Sequence, residues 1–301
     1  MPAERAARRR GLTLVFAATV LWSLAGYFAR LIGHLDVGTV LFGRAAFGGL
    51  CITAWAALEY RRGVLGPRFG FGPLSPLIVL LSATAISSYL AAVMTTTVAD
   101  VMVIYATLPF VAAGLSFVIN KERVSRRTLV SASVATVGVV IMVATGLGAG
   151  RLLGQALSML MTVSFALMVV LQRREPGMSM SSINAAAAFL AAIFGYTMSA
   201  HPAIDLHDVV ILFLFGFTTV CVAFIMFMEG AKFVPSAEAG LVSMLDVALG
   251  PLWVFIAFGE NPGRWTLIGG AFVIGAVVWR VIPEIVGLAP AKEVTSAPVT
   301  L

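Results

Sequence analysis

Residues 207–228 read HDVVILFLFGFTTVCVAFIMFM. From Val209 to Met228 the run holds no Asp, Glu, Lys, Arg or His. A helix needs about 20 mainly apolar residues to cross the hydrocarbon core of a bilayer, and this run supplies them. Nine further runs of the same kind flank it. The ten together cover 12–33, 38–58, 74–94, 97–119, 128–147, 152–172, 180–200, 207–228, 235–258 and 265–283. The third and fourth run together across Met94, Thr95, Thr96 and Thr97 with almost no loop, but 75–119 is too long for a single crossing. Composition agrees: 60% of the chain is hydrophobic and 11% charged. Soluble domains carry about 25% charged residues, so this chain lacks the charge for a water-facing surface. The fold class expected is all-α integral membrane.

The distribution of Lys and Arg sets the orientation, because short cytoplasmic loops collect them. With the N-terminus inside, sixteen fall on the cytoplasmic side and three, Arg30, Arg151 and Arg264, outside, with Arg44 inside the second span. MPAERAARRR, residues 1–10, reads as a cytoplasmic anchor, and the apolar run after it is too long for a signal h-region. The alternation predicts both termini in the cytoplasm. The net charge of +6 is then topological, and nucleic acid is not an expected partner. Cys51 and Cys221 sit in apolar runs and predict no disulfide.

The second half of the chain echoes the first. Residues 19–24, TVLWSL, resemble 162–167, TVSFAL, and each is followed at the same distance by an arginine, Arg30 and Arg173. An offset of 138 pairs Ala99 with Ala237, Asp100 with Glu238, Tyr105 with Ser243, Glu122 with Glu260, Arg126 with Arg264, and Thr128-Leu129 with Thr266-Leu267. Five spans per half is an odd number, so the halves lie in the membrane in opposite orientations. The expected organisation is a cytoplasmic segment 1–10, a first five-helix repeat 11–149, a second 150–283, and a cytoplasmic, disordered tail 284–301. Inverted repeats are a design of secondary transporters, with the solute site near the midplane between the halves.

In this arrangement the fourth helix of each half carries a proline and ends on a glutamate before a Gly-rich fifth helix. The first half shows Leu108-Pro109-Phe110, Lys121-Glu122 and Gly138-Val139; the second shows Leu249-Gly250-Pro251-Leu252-Trp253, Gly259-Glu260 and Leu267-Ile268-Gly269-Gly270. The chain therefore resembles the drug/metabolite transporter superfamily, in particular its EamA-type ten-helix members, over 11–283. It departs from an even repeat at Pro251, four residues beyond Val247, the position matching Pro109. GPLWVF, 250–255, resembles bacterial exporters of aromatic amino acids of the YddG type. The resemblance implies a carrier in the bacterial inner membrane that moves amino acids or similar metabolites outward.

Ionisable and aromatic residues inside spans are the site candidates, since a charge at the bilayer centre costs about 2.5–3.5 kcal/mol on insertion scales. Asp246, at the middle of the ninth span, reads either as a cavity carboxylate that meets a substrate ammonium or titrates, or as a helix-packing acid. Arg44 reads as a partner for a substrate carboxylate, as a snorkelling cation, or as half of a structural ion pair. Glu229 and Lys232 read as a cytoplasmic gate or as interface markers. Asp100 and Glu238 suit helix N-termini. Trp22 lies mid-span, where its indole N–H needs a partner or a wet cavity. Tyr105 and Ser243 lie one turn before Pro109 and its counterpart, where freed backbone must line protein or water. Tyr89 and Asn184 complete the candidate substrate-cavity set of Trp22, Tyr89, Tyr105, Pro109, Asn184, Ser243 and Asp246. Thr218 and Thr219 read as possible helix–helix hydrogen bonds.

No HExxH, GxSxG or GxxxxGK[ST] motif is present, and no nucleophile–base pair points to an enzyme. His34, His201 and His207 fall on outer loops, so no metal or other cofactor is expected. The partners expected are a small-molecule substrate and the lipid bilayer; a monomer and a homodimer fit the sequence equally. A carrier of organic cations or nucleotide sugars, and a channel, are the competing readings.

Overall fold

The computed structural model describes residues 2–63, 70–96, 98–143, 152–175, 177–200, 202–259 and 263–285. Arg68, Arg151, His201, Glu260, Lys292, the end of the first repeat at 144–149 and the tail from 286 lie outside the described residues. The helices are α1 (Pro2–Ser23), α2 (Ala25–Leu31), α3 (Val37–Arg61), α4 (Ser75–Thr95), α5 (Val98–Tyr105), α6 (Leu108–Asn120), α7 (Arg126–Val143), α8 (Leu152–Gln172), α9 (Met180–Met198), α10 (Leu206–Phe215), α11 (Ala223–Ala231), α12 (Ser236–Ser243), α13 (Leu245–Phe258) and α14 (Gly263–Ile285). A π-helical turn, Gly216–Val222, joins α10 to α11. Among the described residues there is no strand.

Among the described residues, eight helices are long and apolar enough to cross a membrane, counting α1–α2, α5–α6, α10–α11 and α12–α13 as continuous rods. Two of the ten expected spans fall short of that measure. α4 offers a shorter described apolar stretch, Ser75–Tyr89. α7 opens on Arg126 and Arg127 and carries Thr128, Ser131, Ser133 and Thr136, which dilute its hydropathy.

The 138-residue echo is built into the backbone. α5 begins at Val98 and α12 at Ser236; α5 ends at Tyr105 and α12 at Ser243; α6 ends at Asn120 and α13 at Phe258. Each pair differs by 138. The residue after each long half adopts the left-handed conformation, Lys121 at φ 57° and Gly259 at φ 69°. Glycine takes that conformation without the Cβ penalty that Lys121 bears.

The two interruptions share a place but not a cause. Between α5 and α6, Pro109 lacks an N–H and constrains the residue before it, and the chain passes through i→i−3 bonds such as Thr107 N–H to Ile104 O (3.0 Å). Between α12 and α13 the break is at Met244, whose N–H bonds to Leu241 O (3.2 Å), while Pro251 lies well inside α13. There the Ser243 hydroxyl donates to Ala239 O (2.8 Å), a side-chain competitor for the helical ladder.

The strongest packing joins helices of different halves: α3 with α9, α7 with α14, α4 with α8, and α1 with α11. Small residues permit it, as expected where helices pack without a hydrophobic driving force. A Cβ on Gly38 would sit 2.4 Å from the Met198 carbonyl carbon, one on Gly195 2.6 Å from Phe42 N, and one on Gly138 2.6 Å from Gly269 O. The Gly138 and Gly269 backbones thus touch where α7 crosses α14. The main core runs through Leu12, Val15, Met168, Ile183, Phe227, Leu241 and Val273.

Candidate functional site

A cavity of about 190 Å³ lies where the interrupted helices meet. Trp22 and Ala25 reach it from the α1–α2 junction, Arg44 from α3, Tyr89 from α4, and Met102 and Tyr105 from α5. Phe165 enters from α8, Thr219 from the π-helical turn, Phe224 from α11 and Asp246 from the first turn of α13. Both halves supply its walls.

The π-helical turn explains how Trp22 is held at this depth. A π turn shifts the i→i−4 pattern and leaves backbone groups available. The Trp22 indole N–H donates to the Thr219 carbonyl at 2.8 Å. The ring meets Phe165, Phe224 and Phe227 with centroids 6.0, 5.6 and 4.9 Å away. Phe227, fully buried, lies one turn beyond Phe224 on α11 and packs against both Trp22 and Phe165. A second tryptophan, Trp253, donates to the Ser23 hydroxyl at 2.7 Å, which ties α13 to the end of α1.

Arg44 is two turns into α3. Its guanidinium lies 5.1 Å from the centre of the Phe215 ring, a cation–π contact. Gly216 brings the turn against it: a Cβ there would lie 2.4 Å from Arg44 O and 2.7 Å from Gly48 N. Asp246 sits in the first turn of α13, with the Val247 N–H beside its carboxylate. Arg44 Nε and Asp246 Oδ1 are both buried without a hydrogen-bond partner.

The candidate residues therefore divide. Trp22, Tyr89, Tyr105, Arg44 and Asp246 come together around one cavity. Ser243 is fully buried beside it, bonded to its own helix and close to the Tyr105 side chain. Pro109 is buried against α12, where the Gly240 backbone lies beside it. Asn184 is buried in α9, away from the cavity, with neither side-chain amide atom bonded. Glu229 and Lys232 form an ion pair of 2.6 Å near the end of α11, also off the cavity. Phe165, Phe224, Met102 and Met161 line it without having been singled out in the sequence. One signal was present, because the echo of 19–24 in 162–167 aligns Trp22 with Phe165.

The face where α1 begins is closed by polar groups. Glu238, at the start of α12, accepts from Arg8 at 2.8 Å and from Arg280, and its side chain is only 6% exposed. The Arg280 Nε–H also donates to the Thr128 hydroxyl at 3.0 Å. One carboxylate so binds α1, α7, α12 and α14 together. Nearby, Arg173 pairs with Glu122 at 3.0 Å and donates to the Val234 carbonyl. Burial lowers the affinity of the Arg173 guanidinium for its proton, and the neighbouring Glu122 and Glu238 oppose that shift. Glu238 is thus more than a helix N-terminal acid. Arg8 and Arg280, which read from sequence as topological cations, are its partners.

No sequence among curated proteins matches this chain. A crystal structure of a protein 18% identical to it superposes with a TM-score of 0.77, over 90% of this chain and 96% of that one, which establishes the shared fold. The model of the EamA-like transporter family matches residues 9–144 and again 150–282. The family pattern thus occurs twice, once in each half, in register with the repeat seen in the helices. The chain belongs to the EamA-like transporter family of the drug/metabolite transporter superfamily.

Proposed function

We propose that the protein is a secondary carrier that moves small metabolites, amino acids with aromatic or other apolar side chains first among them, out of the cell by alternating access. The observation that carries the reading is the central cavity, walled by both halves at their helix interruptions and lined by Trp22, Tyr89, Tyr105, Phe165 and Phe224 beside Arg44 and Asp246. Interrupted helices at the midplane are where carriers of inverted-repeat design bind solute. The repeats run 11–149 and 150–283, and α4 and α7 complete ten crossings by spanning with their neighbours. Both termini then face the cytoplasm of a bacterial inner membrane, which puts the polar cluster around Glu238 on the cytoplasmic side. The resemblance of 250–255 to aromatic amino-acid exporters supports the same substrate class.

Among the described residues, Arg44 is the one basic residue lining the cavity. That weighs against nucleotide sugars, whose phosphates call for several cations. Organic cations are the second reading, favoured by Asp246 and the aromatic wall. The test is counterflow in proteoliposomes loaded with unlabelled amino acids, nucleotide sugars or organic cations in turn. Trans-stimulated uptake of labelled phenylalanine is the expected result. Flux without saturation or exchange would indicate a channel, and exchange of another solute alone would replace amino acids as the substrate.

A further inference from the structure

We infer that Arg44 and Asp246 together read a zwitterion: Arg44 takes the substrate's carboxylate and Asp246 its ammonium group. This rests on the carrier reading above and adds to it which atoms of the substrate are recognised.

Opposite charges inside a membrane protein ordinarily pair with each other or with backbone, because leaving either alone is costly. Here they share a cavity and do not pair. No ion pair within 4.0 Å joins Arg44 to Asp246 or to another described carboxylate. Each keeps one buried polar atom without a partner, Nε on Arg44 and Oδ1 on Asp246. Tyr89 stands within electrostatic reach of both and lines the same cavity, so a phenol lies on the wall they share. The supports differ on the two sides. Arg44 leans on the Phe215 ring and is fixed by the close passage of Gly216. Asp246 stands in the first turn of α13, beside the Val247 N–H.

Charge balance selects the ligand. A monocation would satisfy Asp246 and be repelled by Arg44. A monoanion would do the reverse. A neutral solute would leave both unpaired. A zwitterion with adjacent ammonium and carboxylate groups supplies both counter-charges and adds no net charge to the cavity. Arginine can also hold a carboxylate in two-point geometry. Most of the remaining wall, including Trp22, Phe165, Phe224, Met102 and Met161, is apolar, with Tyr105 and Thr219 as its polar members, and offers the substrate's side chain mainly apolar contact. The site therefore reads the head group common to amino acids strictly and the side chain loosely.

Counterflow with four related solutes tests this on the unmodified protein: L-phenylalanine, phenethylamine, 3-phenylpropionate and phenylalanine methyl ester. Phenylalanine should exchange, and each analogue lacking one charge should exchange about tenfold less or worse, as loss of a charge-assisted bond implies. Arg44→Gln should erase the preference for phenylalanine over phenethylamine. Asp246→Asn should erase the preference over 3-phenylpropionate. Equal exchange of phenethylamine and phenylalanine by the unmodified protein, or unchanged selectivity in both variants, overturns the assignment while the carrier reading stands. If phenylalanine and all other solutes fail to exchange, the carrier reading itself falls.

Discussion

Tyr105 ends α5, Ser243 ends its counterpart α12, and the Ser243 side chain stands beside the Tyr105 phenol. Residues equivalent by the repeat thus meet at the point where both helices are interrupted. Tyr105 also lines the cavity, so it links the cavity wall to both junctions. Tyr105→Phe should lower the initial rate of exchange several-fold with normal membrane insertion. An unchanged rate would remove this coupling from the account.

Glu238 is the counter-charge of a nearly inaccessible Arg280. Glu238→Gln strands that cation, and breaking a buried pair from one side costs about 3–5 kcal/mol. Thermal stability in detergent should drop. The closed face should also loosen. In a background with Cys51 and Cys221 replaced by serine, Ser236→Cys, buried at 1% exposure, should react faster with a water-soluble thiol reagent once Glu238 is neutralised. Equal labelling rates would show that the cluster does not hold this face shut.

Gly216 has backbone, not flexible side chains, in the path of a Cβ. Gly216→Ala must push the π-helical turn off α3, at about 1–3 kcal/mol for overpacking, and must displace Arg44 with it. Weaker apparent affinity for a transported amino acid and a lower melting temperature are expected together. Gly114→Ala, where nothing lies within 4 Å, is the control and should be neutral or stabilising.

Trp22→Phe retains an aromatic ring but leaves the Thr219 carbonyl without its donor. A buried group so orphaned costs about 1–3 kcal/mol. Thermal unfolding of the purified protein should report a loss in that range, larger than that for Trp265→Phe at an exposed ring.

Asp36 caps α3 on the opposite face, accepting from the Thr39 N–H at 3.0 Å and the Thr39 hydroxyl at 2.6 Å. Burial raises its pKa, but bonds from Thr39, Ala200 and Gly38 outweigh that and hold it below the ordinary value. A carboxylate with a depressed pKa contributes stability above its unfolded value, about 3.9, and loses it as pH falls through the folded value. The melting temperature of the unmodified protein should therefore fall more steeply on acidification below pH 4 than that of Asp36→Asn. Parallel profiles would show that the cap contributes nothing.

What the sequence disclosed about the site was its rare features. Trp22, Arg44 and Asp246 are conspicuous because aromatic N–H groups and charges are costly at mid-span, and all three line the cavity. Phe165, Phe224 and Met102 carry no such mark, since an apolar residue facing a cavity and one facing lipid look alike in sequence. The helix interruptions were half legible. Pro109 announces the first, but the second falls at Met244, where no proline stands, while Pro251 sits within an intact helix. Arg8 and Arg280 obey the positive-inside pattern whether or not they are paired, so a topological rule hid a buried cluster.

The tight pairing of α7 with α14 and of α3 with α9 has a consequence for what can move. Each pair takes one helix from either repeat and seals it backbone to backbone at glycines. Under the proposed alternating access, the moving bodies are therefore expected to be composite slabs that each take helices from both halves of the chain, not the two halves themselves. Severing the loop between the repeats would leave two fragments that each lack partners for their helices and must find one another before either is finished.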